Sequence, residues 1–555
     1  MISNRSFIIL LTLCVITYLL GMVMIPLMDI DASQYASISR EMMENKSYWQ
    51  VFDLGTDYLD KPPMLFWLSA LSMKLLGIHD WSYRLPSFLF ILLAIYSTYK
   101  LANLFYNKEI AQLSALVLAS SQAVFLITHD VRCDTMLMGW VSLSLWQMAA
   151  WYQTGKWKYF LIACMAIAGG MMTKGPIALM VPAFAFVPHF MLRREWKQLF
   201  RWEYILGIVI IGILLIPMSI GLYQQFDLHP GKLINGVPIQ SGLRFYYWTQ
   251  SFGRYTGENH FNEMNHFTFL LENMMWSFMP WIFFFLLGLF FSIKNLFAKK
   301  FHLVANEEWI TSGGFIVTYC ILGRSQAQLP HYIFVVFPLA AIVTAVFLDK
   351  LLSSETLNNW KKPLLVFHSV IFILVWLAAI FLMIWPFDVP KFFPLLAVIY
   401  LLLFKILFTK NTTTPILLSI SFFTILGVNV FLDTTFYPNV LKYQLGNDAA
   451  DFIEKNNIPI EKISIYGIHE GRALHFYGKY IFPTEVNFKN LKPTAIVLTS
   501  KDSLHLFTKA FPDLQVLHEG SHFGVTALTL PFLNPKTREK EVQKYVLISL
   551  KSKQE

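Results

Sequence analysis

The chain has 555 residues, of which 55% are hydrophobic and only 14% are charged, and its formal net charge is +9. Soluble globular proteins carry roughly 25% charged residues, so this composition excludes an ordinary soluble domain and predicts a polytopic membrane protein. The basic residues form no single block, which argues against nucleic acid as a partner. A lysine and arginine excess is instead typical of cytoplasmic loops between membrane spans.

Apolar runs of about 20 residues, the length that crosses a bilayer, recur along the first 435 residues. The first run is too long for the apolar core of a typical signal peptide, so we predict that it is retained as a membrane helix. We predict about thirteen spans, at residues 7–28, 85–105, 110–128, 134–152, 158–172, 175–192, 204–224, 268–293, 304–323, 328–348, 363–385, 390–408 and 414–432.

Lysine and arginine are concentrated in alternate loops, for example at Arg5, at Lys108 and in the cluster 193–201. The positive-inside rule assigns these loops to the cytoplasm. The other set of loops, which includes the long segments 29–84 and 225–267, then lies on the outer face. An odd number of spans places the N-terminus in the cytoplasm and the C-terminus outside.

The last part of the chain differs from the rest, because short β-rich runs alternate there with helical stretches. The runs are 462–468, 495–499 and 545–549. Ser500 is placed to cap a helix that begins at Lys501. We therefore predict a transmembrane domain over 1–435 and a small α/β domain over 436–555 on the outer face.

Two aspartates, Asp29 and Asp31, follow the first span. Tyr35, Ile38 and Met42 then recur at i, i+3 and i+7, which predicts an amphipathic helix lying on the membrane surface. Either aspartate alone is explained by capping of this helix or by interfacial solvation, because Asp is a favoured N-cap residue.

The same outer loop contains the run D-K-P-P from Asp60 to Pro63, in which two prolines stiffen the start of the next helix. Lys61 is thereby held at headgroup level, where a lysine can bind a lipid phosphate as a point charge. The alternative is ordinary snorkelling of an interfacial lysine.

A short outer turn, H-D-V-R-C-D from His129 to Asp134, carries three charged side chains between two spans. Charges packed this tightly in a membrane protein are costly unless they are paired or functional, so an Arg–Asp pair is the alternative to a functional site. Arg254 and His331 lie in two further outer segments. No HxH, HExxH or CxxC spacing indicates a dedicated metal site.

Polar groups from five outer segments thus converge on one membrane face. A carboxylate that removes a proton and cations that stabilise a departing phosphate are what an enzyme acting on a lipid-linked substrate needs. The rival is a lipid or solute transporter, which is expected to carry charges or broken helices near the middle of the membrane. The spans here are nearly free of acidic residues.

Five motifs resemble the GT-C glycosyltransferases, in particular the ArnT-like branch (aminoarabinose transferases of lipid A), which is related to the protein O-mannosyltransferases. The resemblance covers roughly the first 350 residues. The motifs are D-A-S-Q-Y-A-S-I-S-R-E-M (31–42), Y-L-D-K-P-P (58–63) followed by L-x-W (65–67), G-I-H-D-W-S-Y-R-L-P-S (77–87), M-T-K-G-P (172–176) and L-P-H-Y-I-F-V-V-F-P (329–338).

The resemblance implies a role for individual residues. Asp31 matches the catalytic aspartate of the family, and Lys61 matches the lysine that contacts the carrier phosphate. Asp60 matches an acidic residue of a divalent-metal or substrate site. The remaining residues that the resemblance places in substrate binding are Tyr35, Tyr58, Arg132, Asp134, Arg254 and His331.

The implied activity is that of an inverting glycosyltransferase in the bacterial inner membrane. Its donor would be a monosaccharide on a polyprenyl phosphate, and its acceptor lipid A or a related glycolipid, with a protein hydroxyl or a surface polysaccharide as alternatives. Three positions depart from the family pattern, namely Ala32, Gln34 and the shorter acid Asp60. These departures affect positions that bear on metal binding and on specificity for aminoarabinose. The sequence is compatible with a divalent metal as cofactor but does not require one.

Overall fold

The computed structural model describes residues 3–550 except for several short segments. Those segments are 259–265, 305–306, 354–356, 388, 391–395, 397, 401, 403–412, 469–470, 486, 488–489 and 492–494. The described part is mostly helical, as the composition predicts. The predicted span at 390–408 lies largely outside the described residues.

The first eleven helices carry the chain through the first outer loop and seven of the predicted spans. They are α1 (Asn4–Met24), α2 (Asp31–Asn45), α3 (Met64–Leu76), α4 (Asp80–Phe105), α5 (Lys108–Ala119), α6 (Gln122–His129), α7 (Cys133–Thr154), α8 (Trp157–Lys174), α9 (Ile177–Leu192), α10 (Trp196–Leu199) and α11 (Glu203–Leu222).

Eight further helices are described between residues 242 and 431. They are α12 (Gly242–Arg244), α13 (Gly253–Thr256), α14 (Phe269–Ser277), α15 (Ile282–Ala298), α16 (Ile310–Leu322), α17 (Phe337–Ser353), α18 (Asn358–Ile384) and α19 (Thr413–Phe431). Two short hairpins lie in the long outer loops: β1 (Phe52–Asp53) with β2 (Thr56–Asp57), and β3 (Lys232–Ile234) with β4 (Val237–Ile239).

Six of the described helices are long and apolar enough to cross a membrane. A seventh span results if α5 and α6, which meet at a bend of 53°, are counted as one. The chain is therefore a multi-pass membrane protein. The spans pack closely: in α7, a Cβ added to Gly139 would lie 2.7 Å from the carbonyl oxygen of Phe90 in α4. Small residues permit this approach of two helix backbones within a bilayer.

The predicted helix after the first span is present as α2, but it does not lie on an open membrane surface. It packs against α3 on one side and against the C-terminal part of the chain on another, and Tyr35, Ile38, Met42 and even Arg40 are buried. Protein therefore covers this helix on two sides, and its place at the membrane surface stays a prediction.

The C-terminal residues contain the strands that the sequence predicts, together with two that it does not. The sheet order is β6-β5-β7-β9-β8, in which β5 is parallel to β6 and β7, while β9 is antiparallel to β7 and β8. Ser500 accepts a hydrogen bond from the backbone N–H of Ser503 at 3.2 Å, as predicted for a cap. The strands are β5 (Ile463–Tyr466), β6 (Thr484–Glu485), β7 (Ile496–Ser500), β8 (Gln515–His522) and β9 (Gln543–Ser549).

Six short helices accompany this sheet. They are α20 (Tyr437–Val440), α21 (Leu445–Lys455), α22 (Ala473–Tyr477), α23 (Leu504–Ala510), α24 (Leu530–Leu533) and α25 (Arg538–Glu541). The unit is fastened to the membrane helices near Arg538, whose guanidinium lies 4.6 Å from the ring centroid of Phe387 after α18. Its helix α22 packs against α2, so the C-terminal residues reach the segment that carries the two aspartates.

Candidate active site

The structure brings Asp31 together with the charged turn after α6. Oδ2 of Asp31 lies 2.5 Å from Nη1 of Arg132, and Nε of the same guanidinium lies 2.9 Å from Oδ2 of Asp130. The expected Arg–Asp pair in this turn is therefore present, but Arg132 also bonds a carboxylate 101 residues away in sequence. The three side chains form one ion cluster at the outer ends of α1 and α6.

Asp31 does not cap its helix. It is the first residue of α2, Ile30 occupies the N-cap position, and no side-chain cap hydrogen bond is made there. Oδ1 of Asp31 accepts no hydrogen bond from the residues that the structure describes, and 35% of the side chain is exposed. Burial raises the pKa of Asp31, while the charges of Arg132 and Lys61 oppose that rise. This leaves one carboxylate oxygen able to take a proton.

A second ion cluster adjoins the first through His331. Nδ1 of His331 lies 3.5 Å from Nη1 of Arg132, and Nε2 of the same ring lies 3.5 Å from Oδ2 of Asp134. Oδ1 of Asp134 lies 2.5 Å from Nζ of Lys174 at the end of α8. The imidazole therefore bridges the Asp31 cluster and a buried Asp134–Lys174 pair.

Tyr332 links Lys174 to the outer loop. The Lys174 ammonium lies 3.9 Å from the centroid of the Tyr332 ring, a cation–π contact. The hydroxyl of Tyr332 accepts a hydrogen bond of 2.9 Å from Nη1 of Arg254. Arg254 has no carboxylate within 4 Å among the residues described here, so its charge is available to a ligand.

Lys61 and Asp60 lie at the edge of the same region. The ammonium of Lys61 donates to Oδ2 of Asp60 at 2.6 Å, and the side-chain amide of Gln250 donates to Oδ1 at 2.9 Å. Desolvation raises the pKa of Asp60, but Lys61 and Gln250 more than offset it, so the pKa lies below its ordinary value. Desolvation lowers the pKa of Lys61, but Asp60 reverses the direction, so the lysine is held charged.

These groups line one cavity together with apolar side chains. The polar lining residues are Asp60, Lys61, Asp134, Lys174, Gln250, Ser251, Arg254, Ser325 and Tyr332. The apolar lining residues include Leu137, Ile177, Met180, Phe252, Leu322 and Val335. Asp31 and Arg132 lie beside this cavity and are connected to it through His331. The arrangement fits a lipid with an anionic headgroup.

The tyrosines that the resemblance places in substrate binding are both buried. Tyr35 is 2% exposed and Tyr58 is 8% exposed, and each ring packs edge-on against Phe66, at centroid distances of 5.8 and 5.9 Å. Tyr58 also lines a small pocket that reaches Lys61. The structure thus gives both rings a packing role, and direct contact with a substrate stays a prediction.

The donor set around Asp60 does not fit a divalent metal ion. Both of its carboxylate oxygens already accept hydrogen bonds, one of them from a cation. Across the ranges that the structure describes, no three His, Cys, Asp or Glu side chains are grouped as metal ligands. Lys61, Arg254 and Lys174 are the charges that face an anionic ligand in this cavity.

Two residues that we did not predict as site residues also shape the site. Lys174 belongs to the M-T-K-G-P motif, but only the three-dimensional structure shows that it pairs with Asp134. Arg84, in the R-L-P motif of α4, is fully buried. Its guanidinium donates to the carbonyl oxygens of Met22 (2.8 Å), Ile25 (2.6 Å), Pro26 (3.0 Å) and His129 (3.0 Å). One arginine therefore ties together the ends of α1 and α6.

Asp29 differs from our expectation of a solvated interfacial residue. Its carboxylate accepts hydrogen bonds from the hydroxyl of Ser33 and, at 3.2 Å, from the backbone N–H of Ala473 in α22. The C-terminal residues cover it, which the local sequence could not indicate. Asp29 therefore joins two parts of the chain, whereas Asp31 faces the charged cluster.

Comparison with known proteins connects this geometry to a family. The sequence profile described as "Dolichyl-phosphate-mannose-protein mannosyltransferase" matches residues 60–220. The undecaprenyl phosphate-alpha-4-amino-4-deoxy-L-arabinose arabinosyl transferase of Wigglesworthia glossinidia brevipalpis is 25% identical over 347 residues, which are 61% of this chain and 57% of that protein. An uncharacterized protein of Aquifex aeolicus is 24% identical over 481 residues, covering 85% of this chain and 86% of that one.

Two crystal structures of ArnT from Cupriavidus metallidurans share the fold over nearly the whole length. The apo structure has a TM-score of 0.74 at 17% identity, covering 98% of this chain and 97% of that chain. The structure bound to undecaprenyl phosphate has a TM-score of 0.73 at 18% identity, covering 98% of both chains. The chain shares the GT-C fold of ArnT. Within this fold, Lys61 lines the cavity, and Asp31 and Arg132 lie beside it; their roles in catalysis stay predictions.

Proposed function

We propose that this glycosyltransferase moves a monosaccharide from a polyprenyl phosphate to an acceptor hydroxyl, with inversion at the sugar carbon. One observation carries the proposal: the carboxylate of Asp31 lies beside a cavity that is lined by Lys61 and Arg254 and by apolar side chains. The apolar side chains suit the prenyl chain, and the two cations suit its phosphate. The relatives named after undecaprenyl phosphate support the same donor class.

The chemistry is a single displacement. Oδ1 of Asp31 takes the proton of the acceptor hydroxyl while the acceptor oxygen forms a bond to the anomeric carbon. The bond from that carbon to the phosphate oxygen breaks, and its electron pair leaves with the polyprenyl phosphate. Lys61 and Arg254 stabilise the charge that develops on the leaving phosphate. No second carboxylate is needed, because no covalent sugar intermediate forms.

The first-choice acceptor is lipid A or a related glycolipid at the periplasmic face of the inner membrane. The arabinosyl transferases among the relatives support it. A protein hydroxyl or a surface polysaccharide is the second candidate, favoured by the mannosyltransferase profile over 60–220. Mass spectrometry of lipid A and of envelope glycoproteins from a deletion strain distinguishes the two acceptors.

We also propose how the chain crosses the membrane. We infer thirteen spans, an N-terminus in the cytoplasm, and a C-terminal α/β domain on the periplasmic side of the bacterial inner membrane. The contact between Asp29 and Ala473 supports this arrangement, because it requires the first outer loop and the C-terminal residues to share one membrane face.

The test is sugar transfer from a labelled lipid-linked donor by the full chain in vesicles. We expect Asp31→Asn to retain folding and binding of the lipid donor but to lose about 10²- to 10⁴-fold in transfer rate, the usual contribution of a general base. Translocation of the lipid without sugar transfer by the wild-type protein would favour a transporter. Near-normal turnover by Asp31→Asn would refute the assignment of the base.

A further inference from the structure

The residues that connect α1 to Asp31 are held by one amide side chain from the far end of the chain. Nε2 of Gln444 donates to the carbonyl oxygen of Leu27 at 2.8 Å, and Oε1 of the same amide accepts from the backbone N–H of Asp29 at 2.7 Å. Gln444 is 0% exposed, so water does not compete for these bonds. The amide thus fixes two backbone groups that belong to neither helix.

Two more groups from the C-terminal residues hold the same short segment. The hydroxyl of Tyr477 accepts from the backbone N–H of Leu27 at 2.8 Å and donates to Oδ2 of Asp80 at 2.7 Å. The backbone N–H of Ala473 donates to the Asp29 carboxylate at 3.2 Å. Leu27 therefore has both its backbone N–H and its carbonyl bonded to the C-terminal residues.

The other side of the segment is held by Arg84, which bonds the carbonyls of Met22, Ile25 and Pro26. Arg84 belongs to the membrane helices, whereas Gln444 lies after the last span. The path of the chain into α2 is consequently defined from two directions. Buried backbone groups need such partners, because an unsatisfied one costs the free energy of its lost hydration.

We infer that Gln444 is a positioning residue for Asp31, an inference that rests on the proposed function. Gln444 bonds neither Asp31 nor any residue that lines the cavity; it acts by fixing the backbone of Asp29, two residues before the base. The position of Oδ1 relative to an acceptor hydroxyl depends on that backbone. A misplacement of about 1 Å can reduce a reaction rate by about 10²-fold. The α/β unit is thus part of the catalytic apparatus, in addition to any role in substrate recognition.

The experiment compares three variants of the full chain in vesicles, with a labelled polyprenyl-phosphate-linked sugar as donor. Gln444→Leu removes both hydrogen bonds at nearly constant volume. We expect its kcat to fall about 10- to 100-fold, with KM for the donor within about twofold of wild type, because the misplacement affects the base alone. The matched control is Tyr545→Phe, which removes a partly buried 2.6 Å hydrogen bond from a buried tyrosine to Asp448 within the same α/β unit. We expect the control to keep the wild-type kcat.

Gln444→Glu provides a readout that a merely structural role would not change. The ionised carboxylate accepts from Asp29 but faces the Leu27 carbonyl without a proton to donate. When protonated, the same side chain can again accept and donate. We therefore expect the activity of Gln444→Glu, relative to wild type at the same pH, to rise as the pH falls.

Three outcomes overturn the inference: wild-type kcat in Gln444→Leu, an equal loss of kcat in Tyr545→Phe, or a relative activity of Gln444→Glu that does not change with pH. If Gln444→Leu fails to fold, the pH dependence of Gln444→Glu tests the inference in its place. A wild-type protein that transfers no sugar would instead overturn the proposed function, so the two failures are distinguishable.

Discussion

Asp29 and Asp31 are separated by a single residue and have different partners. The carboxylate of Asp31 lies 2.5 Å from the guanidinium of Arg132, whereas that of Asp29 accepts from the backbone N–H of Ala473 at 3.2 Å. One aspartate joins the ion cluster beside the cavity, and the other contacts the C-terminal unit. Substitution of either to asparagine should therefore have a different consequence.

Asp29→Asn should reduce stability more than activity. The amide oxygen can still accept a hydrogen bond, but the charge-assisted contacts with Ser33 and Ala473 are weakened, at a cost of about 1–2 kcal/mol. We expect a lower midpoint of thermal unfolding in detergent and a transfer rate within about tenfold of wild type. A loss of transfer as large as that of Asp31→Asn, in folded protein, would show that the two carboxylates share the chemistry.

Lys61→Met should remove charge stabilisation of the leaving phosphate. By analogy with other charge-stabilising donors, we expect a loss of about 10²-fold or more in kcat/KM. Lys74→Met is the matched control, since Lys74 is an exposed lysine on α3, outside the cavity that contains Lys61. Steady-state kinetics with the lipid-linked donor measure both. Equal effects of the two substitutions would indicate that only the net charge of this surface matters.

The acid limb of the pH–rate profile should report the ionisation of Asp31, because a general base must be deprotonated. Burial raises its pKa and Arg132 lowers it, so the removal of Arg132 should raise the pKa further. The acid limb of Arg132→Gln is therefore expected at a higher pH than that of wild type. The measurement is kcat/KM against pH for both proteins. A limb that stays in place or moves to lower pH would contradict the role of Asp31 as base.

The Asp134–Lys174 pair should stabilise the fold only while both members are present. The Asp134 side chain is 3% exposed, so Lys174→Met leaves a buried carboxylate without its cation, a change that typically costs about 3–5 kcal/mol. The double variant Lys174→Met with Asp134→Asn should recover much of that loss. Thermal unfolding in detergent compares wild type, the single variants Lys174→Met and Asp134→Asn, and the double variant. Additive losses would mean that the two side chains act independently.

Transfer should continue after chelation of divalent ions. The carboxylate of Asp60 is occupied by Lys61 and Gln250, and lysine and arginine supply the positive charge of the cavity. We expect the initial rate with excess EDTA to stay within about twofold of the untreated rate, since the charged donors of the protein itself stabilise the leaving group. A loss that added magnesium or calcium restores would assign a metal to the site.

The sequence predicted the parts of the site that local motifs carry. Asp31 and Arg132 follow apolar runs and Lys61 precedes one, and the rule that spans alternate between membrane faces predicts that all three lie on one face. The predicted strands near 463 and 496 also formed, because short β-rich runs between turns are a local signal.

The contacts between distant parts of the chain could not be predicted in this way. Gln444 and Asp29 are 415 residues apart, and neither periodicity nor charge pattern reports such a pairing. Lys174 is similar: a lysine at the end of an apolar run is usually a snorkelling residue, so its pairing with Asp134 had no local signal. The cover of α2 by Ala473–Tyr477 had no local signal either, because that segment lies at the other end of the sequence.

Arg84 links two helices, and this link affects how the protein responds to its bilayer. Membrane helices tilt when the thickness of the hydrocarbon layer changes. The outer ends of α1 and α6 are bonded to the same guanidinium, so Asp31 and Arg132 are expected to move together when either helix tilts. The lipid environment is then expected to set the depth of this ion cluster, while the buried Arg84 preserves the distance between Asp31 and Arg132.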